Sequence, residues 1–176
     1  MSKKRQGLSR ARLVGALLTR LQASRWIPTK SRASLLRHAG SSIGKGVTIA
    51  AGCTVQFPQE LRIRDGVFMN VGVFLDARGG LTIDENVFIA DGVSLNTATH
   101  TLGDSARRAG PTVGRPILIG AGTWIGSGAV ITAGTEVGPG CVIAAGAVVV
   151  RTCKPDGLYA GVPAKFVRAL GLGRGA

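Results

Sequence analysis

A chain of 176 residues has room for one domain with a sizeable core plus short appendages, not for two such domains. Its 27 glycines, roughly twice ordinary usage, stand beside 45% apolar and only 5% aromatic residues, with no Gly-X-Y triplets and no low-complexity tract, which excludes collagen-like and disordered chains. The net charge of +13 is lopsided: residues 1–38 hold ten of the 22 Lys and Arg and no acid, leaving 12 bases against all nine acids from residue 39 onward.

The basic arm comes first. Leu13, Val14, Leu17, Leu18 and Leu21 recur at helical spacing among Arg10, Arg12, Arg20 and Arg25, so residues 9–25 are predicted to form an amphipathic basic helix. The apolar run Leu13 to Leu18 follows Lys3, Lys4 and Arg5 but is bracketed by Arg12 and Arg20, too short for a secretory leader or a membrane span. Pro28 is expected to end this helix, and Ser31 with Leu35 and Leu36 predicts a second short one before Gly40. These helices are expected to cover the open end of the structure that follows. The charge of the arm leaves a second role open, docking on a membrane surface or a lipid-linked substrate. Nucleic acid is not an expected partner, because the arm lacks interleaved aromatics and any recognition motif. His38 is read as a solvated side chain.

From residue 39 a period of six sets in. Ile43 and Ile49 carry it, then Ile83, Ile89 and Leu95 after slips between residues 55 and 82, then six consecutive hits at Ile119, Ile125, Ile131, Val137, Ile143 and Val149. Most are followed by Gly or another small residue. Such a beat is neither helical nor a simple strand alternation; it suits short extended segments joined by tight corners and stacked coil on coil. Each aliphatic residue would point inward, and consecutive coils would pair as parallel strands that bury columns no single coil can bury alone. The predicted organisation is a basic helical arm over 1–38, a repeat domain over 39–155 and a C-terminal extension over 156–176. Residues 101–116 break the beat and are expected to project as a loop, a place where function concentrates. Cys53, Cys141 and Cys153 form an odd set without CxxC spacing, which argues against disulfides and zinc and suits a reducing cytoplasm.

The segments TIDENVFIADGVSLNTATH, GAGTWIGSGAVITAGTEVGPGCVIAAGAVVV and YAGVPAKFVRAL, in that order and spacing, resemble the hexapeptide-repeat acyltransferases, in the branch of the galactoside, maltose and polysaccharide O-acetyltransferases. The resemblance covers half the chain, from about Ile83 to Leu170. It implies a left-handed parallel β-helix with three hexads per turn, a handedness the spacing alone does not predict. It further implies transfer of an acetyl group from acetyl-CoA to a hydroxyl of a sugar or glycosylated small molecule, and a homotrimer with its active sites in the clefts between neighbouring coils. No metal is expected.

Carried over by position, the histidine that takes the proton from the acceptor hydroxyl is His100. Imidazole suits the task because it titrates near neutral pH, and general base catalysis supplies about 10²–10⁴ in rate. The hydroxyl would then attack the thioester directly, without an acyl-enzyme, and the oxyanion would be held by the backbone N–H of Ser127. The resemblance gives Asn70 to the acceptor hydroxyl and Trp124 to the acetyl end of the donor, with Asp76 near enough to meet a sugar hydroxyl unless it meets Arg78 instead. It gives Ala145 and Gly146 to the pantetheine arm and Arg151, Lys165 and Arg168 to the phosphates. Val150 departs from a family hydroxyl, which puts one donor hydrogen bond in doubt, and Thr101 departs from the Asp or Pro common after the histidine.

Other occupants of this fold fit less well. The γ-class carbonic anhydrases need three zinc-binding histidines per site, and the chain has two in all. An acyltransferase using an acyl-carrier protein or a longer acyl-CoA is the enzymatic alternative, and a silent β-helix scaffold is the non-enzymatic one.

Overall fold

The computed structural model describes residues 15–171 apart from 16, 19 and 22; Arg10, Arg12, Leu13 and Val14 of the first expected helix lie outside the described residues. Helical backbone is present at Gly15, Leu17, Leu18, Arg20, Leu21 and Ala23. A second helix spans Thr29–His38, beginning two residues before Ser31. Pro28 is its N-cap, with extended geometry and no side-chain cap, so this proline opens the second helix instead of closing the first. Ser31 lies inside the first turn and donates its N–H to the Pro28 carbonyl at 2.9 Å. Ala33 and Leu36 belong to the core, where the helix packs over strands Ser42–Ile43 and Thr48–Ile49 and covers the first turn of the repeat domain. His38 is exposed, its Nδ1 bonded to the Ser34 carbonyl at 2.8 Å.

From Ser42 to Ala160 the chain winds as the left-handed parallel β-helix expected of the repeat, with three faces. The first face stacks Ser42–Ile43, Leu61–Ile63, Leu81–Ile83, Ile117–Ile119 and Glu136–Val137. The second stacks Thr48–Ile49, Phe68–Met69, Phe88–Ile89, Trp124–Ile125, Val142–Ile143 and Gly157–Ala160. The third stacks Thr54–Gln56, Phe74–Asp76, Ser94–Asn96, Val130–Ile131 and Val148–Val149. The inward columns follow the six-residue beat: Ile83, Ile119 and Val137 on the first face, Ile89, Ile125 and Ile143 on the second, Leu95, Ile131 and Val149 on the third, all buried. Burying each such side chain is worth about 1.5–3 kcal/mol, so the stack, not any single coil, holds the fold together.

The slips between residues 55 and 82 have a structural cause. Thr48 lies beside Phe68 and Phe68 beside Phe88, a turn of 20 residues, whereas Trp124 lies beside Val142, a turn of 18. The surplus falls where the third face passes into the first, and the strands Leu61–Ile63, Leu81–Ile83 and Ile117–Ile119 there bury two residues instead of one. The segment expected to project as a structureless loop over 101–116 emerges from this same edge. It is an antiparallel hairpin of Ala98–Leu102 against Ala109–Gly114, starting before residue 101 and carrying His100 within its first strand.

At the far end Lys165–Ala169 runs antiparallel against Gly157–Ala160 and ends the parallel stacking, with the rings of Tyr159 and Phe166 edge to face at 5.7 Å. All three cysteines are free and buried. Burial pushes each thiol above its ordinary range, and Cys153, with Cys141 beside it, is raised to about 12.

Candidate functional site

His100 is exposed on the hairpin, opposite Thr112. Its Nδ1 lies 2.8 Å from the Gly110 carbonyl oxygen. A carbonyl only accepts, so Nδ1 carries the hydrogen, and Nε2 is the nitrogen with a lone pair available to take a proton. Gly110 is required at this spot: a Cβ there would fall 2.5 Å from the Thr101 hydroxyl and 2.9 Å from its carbonyl oxygen. The foot of the hairpin is tied to the turn beneath. Thr97, fully buried, donates its hydroxyl to the Asp76 carbonyl and accepts the Gly79 N–H, both at 2.8 Å, while Arg115 N–H closes the base on the Thr97 carbonyl. The Asp76 carboxylate, 8% exposed, accepts the Arg78 backbone N–H at 2.9 Å, so it braces this corner and does not pair with the Arg78 guanidinium.

The other expected residues lie elsewhere on the prism. Asn70, Ser127, Ala145 and Gly146 occupy the edge where the second face passes into the third, and Trp124, 53% exposed, stands on the second face leading into it. The Asn70 Oδ1 accepts the Val71 N–H at 2.8 Å, leaving its amide hydrogens to donate outward. Ser127 begins a tight corner in which Gly128 takes a φ of 67°, a region where a side chain is strained. The Ser127 hydroxyl donates to Asp91 Oδ1 at 2.7 Å and pins the corner to the turn below. Its carbonyl accepts from Gly146, and its backbone N–H donates to nothing within the described residues. Just before it, Gly126 lets the next coil approach closely, since a Cβ would fall 2.6 Å from the Ala145 nitrogen.

Of the expected phosphate-binding cations, Arg151 is exposed on the hairpin edge two residues beyond Val149, whereas Lys165 and Arg168 are exposed on the closing strand. That strand is bound to the top coil through Ala164, whose N–H donates to the Val148 carbonyl at 2.8 Å. Val150, 45% exposed, offers no hydrogen bond from its side chain. Among the described residues no group of three or more His, Cys, Asp or Glu side chains is arranged to hold a metal, and no helix is long and apolar enough to cross a membrane.

The expected residues therefore fall into two groups on different edges of one prism: His100, Asp76 and Arg151 on the hairpin edge, and Asn70, Trp124, Ser127, Ala145 and Gly146 at or beside the tight edge. One group holds a base with an oriented lone pair; the other holds an unengaged N–H beside small residues and an exposed indole. Together they have the parts for proton removal from a hydroxyl and stabilisation of an oxyanion. A groove of about 350 Å³ on the C-terminal side of the hairpin, lined by Arg115, Pro116, Gly134, Thr135, Glu136 and Thr152 among others, contains none of them. Sequence reasoning missed Gly110, the orienting carbonyl, and Asp91, which aligns with Ser127 only once the hairpin between them is recognised.

Comparison with known proteins yields concordant matches. Residues 116–151 match the family model described as bacterial transferase hexapeptide (six repeats). The galactoside O-acetyltransferase of Escherichia coli K12 is 28% identical over 166 residues, covering 94% of this chain and 82% of that protein. A protein of Dictyostelium discoideum named as an acetyltransferase is 31% identical over 140 residues, covering 79% and 73%. The solved hexapeptide-repeat acetyltransferase of Vibrio cholerae, complexed with acetyl coenzyme A, superposes with a TM-score of 0.82 at 27% identity, covering 97% of this chain and 92% of that one.

Proposed function

The chain belongs to the hexapeptide-repeat acyltransferases, in their sugar O-acetyltransferase branch, and is an acetyl-CoA-dependent O-acetyltransferase; from that premise we propose that it acetylates a sugar hydroxyl with His100 as general base, at sites shared between the chains of a homotrimer. The observation that carries the proposal is the bond from His100 Nδ1 to the Gly110 carbonyl, which fixes the tautomer and leaves the lone pair on Nε2.

The chemistry then runs through groups already described. His100 Nε2 takes the proton from the acceptor hydroxyl as its oxygen bonds to the thioester carbonyl carbon, so no alkoxide forms free in water. The negative charge developing on the carbonyl oxygen is met by the Ser127 N–H, held in place by the corner and the Asp91 bond and so needing no reorganisation. The C–S bond breaks, and the proton held by His100 passes to the departing thiolate. Asn70 donates its amide hydrogens to the acceptor, Trp124 packs beside the acetyl group, Ala145 and Gly146 leave a slot for the pantetheine arm, and Arg151, Lys165 and Arg168 meet the phosphates.

The two edges support the shared site. His100 and Asn70 lie at different corners of one triangular cross-section, and a three-fold assembly of prisms would set the hairpin edge of one chain against the tight edge of the next.

The test is thiol release from acetyl-CoA in the presence of hydroxylated glycosides. Wild-type protein is expected to release thiol only with acceptor present. His100→Ala keeps the circular dichroism and melting behaviour of the parent, because the residue is exposed, and lowers turnover at least about 10²-fold. Unchanged turnover in that variant contradicts the role of His100.

A further inference from the structure

The two groups of residues are ordered along the prism as well as around it. The residues proposed for the donor lie at or beyond the Trp124 coil, toward the C-terminal end: Ser127, Ala145, Gly146, Arg151, Lys165 and Arg168. The acceptor therefore approaches from the opposite side of the His100 level, where the coil below the hairpin bears Asp76 and Arg78. Arg78 is exposed, and its guanidinium lies 4.1 Å from the centroid of the Phe57 ring, one coil further down the same edge. Stacking on the ring holds the planar cation in one place, whereas a free surface arginine samples many. Among the described residues it has no carboxylate partner: the nearest acid in sequence, Asp76, is buried and accepts only the Arg78 backbone N–H, at 2.9 Å.

The backbone of Arg78 is also fixed relative to the base. Gly79 and Gly114 interlock so closely that a Cβ on Gly79 would fall 2.4 Å from the Arg115 nitrogen, and one on Gly114 would fall 2.6 Å from the Gly79 Cα. Gly114 pairs with Ala98, two residues before His100 on the same strand. With strands about 4.8 Å apart and about 3.4 Å per residue along each, the backbone of the Arg78 turn lies on the order of 10 Å from that of His100, a span that the two side chains and one bound sugar can fill. The hairpin itself is basic, with Arg107 and Arg108 in its turn, and no acid but Asp104 lies between residues 92 and 135.

We propose that the acceptor is an anionic saccharide, a hydroxylated sugar bearing a carboxylate or a phosphate close to the acetylated hydroxyl, and that Arg78, braced by Phe57, is the residue that selects it. This deepens the proposed function and rests on it. The anion pairs with the guanidinium while the neighbouring hydroxyl reaches His100 Nε2; an uncharged sugar leaves the cation without its ion pair and binds more weakly.

The test compares methyl hexosides, the corresponding hexuronates and hexose phosphates as acceptors for wild type, Arg78→Gln, Phe57→Leu and His100→Ala, following thiol release and, independently, saturation transfer from protein to sugar. Wild type is expected to prefer one anionic series over the neutral sugars by about 10-fold or more in kcat/KM, the carboxylate and phosphate arms distinguishing the two sources of charge. Arg78→Gln brings that ratio close to one through KM, with kcat on the anionic sugar little changed, and Phe57→Leu weakens it part of the way. Two results overturn the proposal while leaving His100 as base: no anionic preference in wild type, or a preference that survives Arg78→Gln; no turnover of any sugar together with no saturation transfer to the anionic ones overturns the proposal and the underlying reading together. Loss of turnover on every acceptor is expected only of His100→Ala, and its absence there strikes the underlying reading instead.

Discussion

Two edges of the same prism, built from the same repeat, have been put to different uses. The edge from the second to the third face keeps its corners minimal: Asn70, Asp91, Ser127 and Ala145 follow one another up the stack beside glycines, and the chemistry available is that of backbone N–H groups and small surfaces. The edge from the third to the first face carries surplus residues in its early turns and a hairpin in the next, and the chemistry available there is that of side chains, a histidine and several arginines. A tight corner supplies dipoles that need no ordering during a reaction. Only an inserted segment has the reach to carry an imidazole out beyond the prism, and it needs bonds such as the one His100 Nδ1 donates to the Gly110 carbonyl to keep the ring oriented.

The sharpest way to break this division is to remove one backbone hydrogen from the tight edge. Pro139 already stands at a Gly-X-Gly corner, between Gly138 and Gly140, that has the same form as Gly126, Ser127 and Gly128, with φ values of 65° at Gly140 and 67° at Gly128. Ser127→Pro should therefore fold, yet lose the N–H and with it about 10²–10³ in kcat, while Ser127→Ala, which loses only the bond to Asp91, loses far less. Equal activity of the two variants in thiol release would remove the amide from its role. A core substitution sharpens the comparison from the other direction, since both edges stand on one set of columns. Ile125→Ala, at a fully buried position, should cost about 2–5 kcal/mol in denaturant unfolding. It should also weaken the binding of donor and acceptor together. A smaller effect concerns Cys153, which ends the hairpin edge. Its thiol, raised to about 12 by burial and by Cys141 beside it, keeps its proton in the native state at pH values where the unfolded chain releases it. That contribution to stability is whole below the ordinary thiol value of 9.0 and is lost as the pH climbs from there toward 12. Unfolding midpoints measured across that window should fall, and fall less in Cys153→Ala.

The buried columns were legible because a period of six leaves one aliphatic residue per side, and nothing but stacking can bury it. The slips at residues 55–82 looked like decay of the pattern; they are added residues at one edge, which shift the frame without disturbing the interior, as Leu61 and Ile63 show by both facing inward. His100 was found through resemblance, and its position beside the break in the beat agreed. Its orienting carbonyl was not, because the pairing that brings Gly110 to it depends on a hairpin register no local pattern specifies. Nor was the stack of Arg78 on Phe57, since the two residues lie a full turn apart and meet only through coil geometry. The second helix is legible in Ser31, Leu35 and Leu36 but starts before them, because a proline that cannot continue one helix is well suited to begin the next.

The central claim is that neither edge makes a site alone. His100→Ala and Asn70→Ala chains, each nearly inactive, can be co-expressed with different tags and purified as mixed trimers. A site that takes its histidine from one chain and its asparagine from the next is intact once in every mixed trimer, so the purified mixed trimers should regain about a third of wild-type thiol release. A mixture no more active than its separate parents would contradict the account.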